Sequence, residues 1–149
     1  MSTLESKKQT GSALFTDYDL SKFLLGHNFF TSGEMDGEEE LKVGMLIGRV
    51  GDTGKLKPSE SDATDGSQYP IGLAIVEKKV EAGDTDKITV VQKGRVAKGK
   101  VNFEKDSDSL STVIEVGASA NHKRQYRDLL ADLGLILEDS EELTDYDNS

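Results

Sequence analysis

The sequence contains no cysteine and no tryptophan, and its two histidines, His27 and His122, lie far apart. Without cysteine the chain can form neither a disulfide framework nor a thiolate site. The two histidines fit no metal-ligand spacing, and no serine stands in a recognisable nucleophile motif. We therefore expect no enzymatic activity, no metal site and no cofactor.

Long apolar runs are missing as well. No stretch of 18 or more apolar residues occurs, so we expect no segment that spans a membrane. The N-terminal residues MSTLESKKQT lack the apolar core of a secretion signal. Synthesis in the cytoplasm is therefore the expectation.

Positively charged residues are in the minority. The 18 lysines and arginines stand against 28 aspartates and glutamates, which gives a formal net charge of −10. The acidic excess lies toward the two ends of the chain, while the middle is nearly neutral. An acidic chain repels a phosphate backbone, so nucleic-acid binding is disfavoured.

The stretch from Val43 to Phe103 contains three short apolar runs separated by polar, glycine-containing turns. In the first two runs alternate positions are apolar, which is the period of a β-strand. The positions between them, Gly44, Gly72 and Ala74, are small, so we expect close neighbours on both faces of these strands. The alternating residues are Val43, Met45 and Ile47, then Ile71, Leu73 and Ile75.

A strand, a helix and a final strand are predicted after the third run. Residues 110–116 alternate like a strand, and Asn121 is a good N-cap for a helix that ends at Gly134. The sequence LGLILE follows as the last strand. We assign residues 41–138 to one β-rich module and residues 139–149 to an acidic tail without structure.

Two loops resemble known ligand motifs and fail on inspection. In GRVGDTGKL, a phosphate loop would need glycine at Arg49 and serine or threonine at Leu56. In the loop that begins at Asp106, a calcium site would need glutamate at Gly117. We interpret these loops as turns.

The N-terminal region concentrates aromatic residues, since four of the five phenylalanines lie between residues 14 and 30. Leu20, Phe23 and Leu24 would share one face of a short helix that Gly26 ends. Two interpretations stay open: the segment folds back to complete the core, or it forms a docking arm, with residues 31–40 as a solvated tether. The arm hypothesis assigns residues 1–40 to arm and tether, and its contact residues are Leu14, Phe15, Tyr18, Leu20, Phe23, Leu24, Leu25, Phe29 and Phe30.

Basic residues cluster in the third apolar run, at Lys93, Arg95, Lys98 and Lys100. No aromatic residue is interleaved with them, as a nucleic-acid site would require. A solvated or protected strand edge, with Lys98 and Lys100 on one face, is one interpretation. The other is a soluble β-barrel adaptor that binds an acidic or peptide partner here.

Five short motifs, taken in order, resemble the head decoration proteins of tailed bacteriophages, of the lambda D type. They are GMLIGRV from residue 44, TGKL from residue 53, DGS from residue 65, PIGLA from residue 70 and VQKGRV from residue 91. The motif positions expected to have structural roles are Gly44, Gly48, Gly54, Asp65, Gly66, Pro70, Gly72 and Gly94.

The resemblance implies a mainly β fold: a small β-barrel or β-tulip-like module with one C-terminal helix and an extended N-terminal arm. It also implies a structural protein of the virion, placed on the outer capsid surface. There it would bind the major capsid protein of the expanded head as a homotrimer and stabilise the head against internal DNA pressure. No enzyme, nucleic-acid or membrane function is expected.

Overall fold

The computed structural model describes residues 20–81, 86–115 and 123–139. Among them, no helix has both the length and the apolar character needed to cross a membrane. Ten strands, two short 3₁₀ helices (Leu20–Lys22 and Lys98–Lys100) and one α-helix, α1 (Tyr126–Leu133), make up the described part. The strands are β1 (Leu24–Glu34), β2 (Glu39–Leu41), β3 (Leu46–Arg49), β4 (Leu56–Pro58), β5 (Pro70–Ala74), β6 (Lys78–Val80), β7 (Lys87–Ala97), β8 (Val113–Glu115), β9 (Lys123–Gln125) and β10 (Leu135–Glu138).

The main sheet is organised around β7, which is eleven residues long. Its strand order is β1-β7-β5-β3-β4, and β10 also pairs with β7. Strand β1 runs antiparallel along one edge of β7, while the other edge pairs first with β5 and then, in parallel, with β10. The remaining strands form two small ladders, β2 with β6 and β8 with β9.

The two outer strands of the main sheet approach each other at one end. Immediately after β1, Met35 forms a parallel bridge with Leu56 of β4, and the Asp36 N–H donates to the Leu56 carbonyl at 2.8 Å. Met35 and Leu56 are both fully buried. The prediction of a mainly β fold with one helix near the C-terminus is confirmed. Among the described residues, the paired strands form a path from β1 to β4 whose two ends meet through this isolated bridge.

The central strands are enclosed on both faces, as the small residues between their apolar positions predicted. The neighbouring residues Leu46 and Ile47 of β3 are both fully buried. A Cβ at Gly48 would lie 2.0 Å from the Ser67 carbonyl oxygen, and one at Gly72 would lie 2.5 Å from the Val91 carbonyl oxygen. No larger side chain fits at either glycine without movement of the backbone.

Helix α1 begins later than the sequence predicted. The expected N-cap, Asn121, lies outside the described residues, and the helix instead starts after Gln125. The side chains of Gln125 and Asp128 form a reciprocal capping box, which satisfies two free N–H groups of the first turn. The predicted end is confirmed, because Gly134 has a left-handed φ of 102°. Tyr126 and Leu130 anchor the helix in the core.

Candidate docking surface on the edge strand

The structure divides the predicted contact residues of the arm into three groups. Leu14, Phe15 and Tyr18 lie outside the described residues. Phe23 is fully buried, and Leu20 and Leu24 pack half-buried against the core. Leu25 is half-buried, while Phe29 and Phe30 are exposed.

The predicted short helix is wrong. Only residues 20–22 form a 3₁₀ turn, and the chain then extends into β1. The Phe23 carbonyl accepts a hydrogen bond of 2.9 Å from the Ala97 N–H, which ties the start of β1 to the end of β7. For this part of the segment, folding back onto the core is the correct interpretation.

The predicted tether from residue 31 to residue 40 is also wrong. Strand β1 continues to Glu34, and Glu39 and Glu40 belong to β2. Met35, between the two strands, is 1% exposed, and its N–H donates to the Asp86 carbonyl at 2.9 Å. Residues 20–40 are therefore part of the β-rich module.

Two aromatic side chains remain on the surface of β1. Phe29 is 65% exposed and Phe30 is 48% exposed. Within the described ranges β1 pairs only with β7, so the opposite edge of its backbone is open. The half of β1 that carries these phenylalanines contains neither proline nor lysine, the residues that commonly protect an open edge. An open strand edge beside exposed aromatic rings is suited to a protein partner.

A bulged, irregular segment leads up to the two phenylalanines and continues between them. The register between β1 and β7 shifts between Leu24 and Gly26, between Gly26 and Phe29, and again between Phe29 and Phe30. Within this segment Gly26 has φ 135° and His27 has φ 50°. The Asn28 side chain fixes this shape: its Oδ1 accepts from the Gly26 N–H at 3.2 Å, and its Nδ2 donates to the Arg95 carbonyl at 3.1 Å. Bulges strengthen the local twist and redirect side chains. The bulge therefore sets how Phe29 and Phe30 are presented.

The family-motif residues lie in turns and crowded strand crossings of the module. Gly44, Gly54, Gly66 and Gly94 have positive φ, and Pro70 begins β5. The Asp65 carboxylate accepts hydrogen bonds from the Ser67 hydroxyl at 2.5 Å and the Ser67 N–H at 3.0 Å. These bonds lower the pKa of Asp65. The interpretation of Asp65-Gly66 as a turn is confirmed.

The basic residues of the third run do not form one strand face. Lys98 and Lys100 lie in a 3₁₀ helix, so the predicted shared strand face does not exist. Arg95 is engaged by Glu138 on β10, with Nη2 and Oε2 2.8 Å apart. Across the described ranges, no three His, Asp or Glu side chains are grouped so that they could hold a metal ion.

An acidic surface lies near β2. Burial, followed by the negative charge of Glu104, raises the pKa of Glu39, and Lys57 opposes this shift. The ionised form of Glu39 is therefore less favourable in the folded protein than in the unfolded chain.

Sequence reasoning missed Asn28 and the bulge it holds. The signal in the sequence is Gly26 followed by His27 and Asn28, because glycine and histidine are tolerated at positive φ and asparagine side chains commonly hydrogen-bond the backbone two residues away. This signal was missed because Leu20, Phe23 and Leu24 have the spacing of a helix, which favoured the prediction of a helix that ends at Gly26.

Comparison with known proteins gives one family. The family described as bacteriophage lambda head decoration protein D matches residues 26–122, well over half of the chain. No curated protein matches the sequence significantly.

Proposed function

The chain belongs to the bacteriophage lambda head decoration protein D family, and from this membership we propose that it decorates the outer surface of the phage head as a homotrimer. The partner is the major capsid protein, and attachment stabilises the expanded head against the pressure of packaged DNA. The protein is made in the host cytoplasm and is carried in the virion.

Stabilisation follows from selective binding. A protein that binds the expanded shell and not the ruptured one lowers the free energy of the intact shell by mass action. Three linked copies convert modest affinities at single sites into strong attachment, because later contacts form at high effective concentration. This function needs only binding surfaces.

The open edge of β1 with Phe29 and Phe30 is the observation that supports a docking role for this surface. Phe29 and Phe30 are 65% and 48% exposed although both are large and apolar. Burying such a side chain contributes about 1.5–3 kcal/mol. We infer that the capsid covers this part of β1, together with contacts from residues 14–18 that precede it.

Purified expanded heads that lack a decoration protein provide the test. Added protein should bind to saturation in a fixed ratio to the major capsid protein, in multiples of three copies, as measured by sedimentation and quantitative gel analysis. Decorated heads should then survive heat or osmotic shock that ruptures undecorated heads. Absence of binding, or binding without protection, would reject the proposal.

A further inference from the structure

A groove of about 440 Å³ lies between helix α1, strand β10 and the second 3₁₀ helix. Apolar side chains dominate its surface. Ile136 in the groove is 57% exposed, so it adds apolar surface that the described residues leave uncovered. The apolar residues that line it are Leu110, Ala131, Leu135, Ile136 and Leu137.

Two positively charged side chains line this groove. Lys98 and Arg127 line it, both are exposed, and neither has an ion-pair partner within the described ranges. The one acidic lining residue is Asp128, whose Oδ2 already accepts the Gln125 N–H at 2.9 Å. An occupant that combines apolar side chains with carboxylates would therefore be complementary to the groove.

The chain enters the described structure close to this groove. Phe23 is hydrogen-bonded to Ala97, Ala97 pairs on its other side with Glu138 of β10, and the next residue is Lys98. Two strand spacings, roughly 10 Å, thus separate the start of β1 from β10. Six extended residues span about 20 Å. The residues immediately before Leu20 can reach the groove of their own chain.

We propose that the segment from Leu14 to Asp19 docks in this groove of its own chain. Its sequence, LFTDYD, supplies three apolar side chains, Leu14, Phe15 and Tyr18. It also supplies two carboxylates, Asp17 and Asp19, whose charge is opposite to that of Lys98 and Arg127. In the free protein the groove shields these apolar residues, and attachment to a head releases them. The release step depends on the proposed function; docking in the free protein does not.

The absence of cysteine allows a direct test by cross-linking. Thr16→Cys places a thiol in the segment without removing an anchor, and Ala131→Cys places one at the groove. A short bismaleimide should link this pair within one chain, at the mass of a monomer, at least about five times faster than a control pair of Thr16→Cys with Ser32→Cys. Ser32 is exposed on β1. No heads are present, so the result does not depend on capsid binding.

Charge reversal tests the complementarity. Lys98→Glu with Arg127→Glu should remove the rate advantage of the Thr16/Ala131 pair, and adding Asp17→Lys with Asp19→Lys should restore it. Thermal unfolding of each variant confirms that the module is folded. Equal rates for the two cysteine pairs, links only between chains, or no restoration by the double reversal would overturn the proposal.

Discussion

Gly94 on β7 faces Asn28 on β1 so closely that a Cβ at position 94 would lie 2.5 Å from the Asn28 Nδ2 atom and 2.8 Å from its Cα. Gly94 also has φ 128°, a backbone conformation that residues other than glycine rarely adopt. The bulge that presents Phe29 and Phe30 therefore depends on a glycine on the neighbouring strand.

Gly94→Ala should destabilise the protein by about 1–3 kcal/mol, because it adds backbone strain and a clash with the bulge. Urea unfolding measures this loss. Gly37→Ala is the matched control, since Gly37 also has positive φ (86°) but a Cβ added there would have no neighbouring atom within 4 Å. Gly37→Ala should lower the free energy of unfolding clearly less than Gly94→Ala does. An equal loss for the two variants would show that the contact with Asn28 is unimportant.

The hydroxyls of Ser59 and Tyr126 form a buried hydrogen bond of 3.2 Å that joins the segment after β4 to helix α1. Tyr126→Phe should lower the free energy of unfolding by about 1–2 kcal/mol, because it leaves a buried hydroxyl without its partner. Ser59→Ala and the double variant complete a mutant cycle measured by urea unfolding. A coupling energy near zero would mean that the bond contributes nothing to stability.

The same tyrosine predicts how stability depends on alkaline pH. Burial raises the pKa of Tyr126 to about 12, although its bond to Ser59 opposes the shift. The unfolded chain ionises Tyr126 near its ordinary pKa of 10.0. The stability that the protonated, buried Tyr126 contributes is therefore complete below that pH and is lost as pH rises through about 12. Wild type should lose more stability than Tyr126→Phe between these values. Parallel pH curves for the two proteins would contradict this.

Glu39→Gln should stabilise the protein at neutral pH. Burial and the charge of Glu104 raise the pKa of Glu39, so the folded state is penalised once this carboxyl is ionised. The gain should be at most about 1 kcal/mol because partial exposure screens the repulsion. It should vanish as pH falls below the ordinary pKa of 4.5, where both states are protonated.

Unfolding curves at neutral and acidic pH measure this effect. Glu38→Gln, at an exposed neighbouring position, is the control for loss of one negative charge. A gain that is the same for both variants, or that persists at low pH, would exclude the specific effect at Glu39.

The sequence was sufficient where structure follows from local pattern. Alternation at Val43, Met45 and Ile47 predicted a strand, of which the second part is β3 (Leu46–Arg49), and Gly134 correctly marked the end of α1. Both features depend on residues close in the chain: side-chain period in one case, and a glycine that adopts left-handed φ in the other.

Strand β1 could not be predicted because long-range pairing decides its conformation. Leu20, Phe23 and Leu24 have helical spacing, yet hydrogen bonds to β7, more than sixty residues away in sequence, extend the chain. The groove could not be predicted either, because Lys98, Leu110 and Ile136 come together only once β10 pairs with β7 and α1 packs against β5 and β10. Which apolar residues end up exposed is a property of the assembled sheet.

Attachment of a Phe29→Ser, Phe30→Ser double variant to undecorated expanded heads tests the docking surface most directly. Loss of two apolar contacts should weaken binding at least tenfold, since about 1.4 kcal/mol corresponds to that factor. Val113→Ser, which removes another exposed apolar side chain (44% exposed), should bind as wild type does. If the double variant is folded and decorates heads with unchanged affinity, the edge of β1 is not the capsid-binding surface.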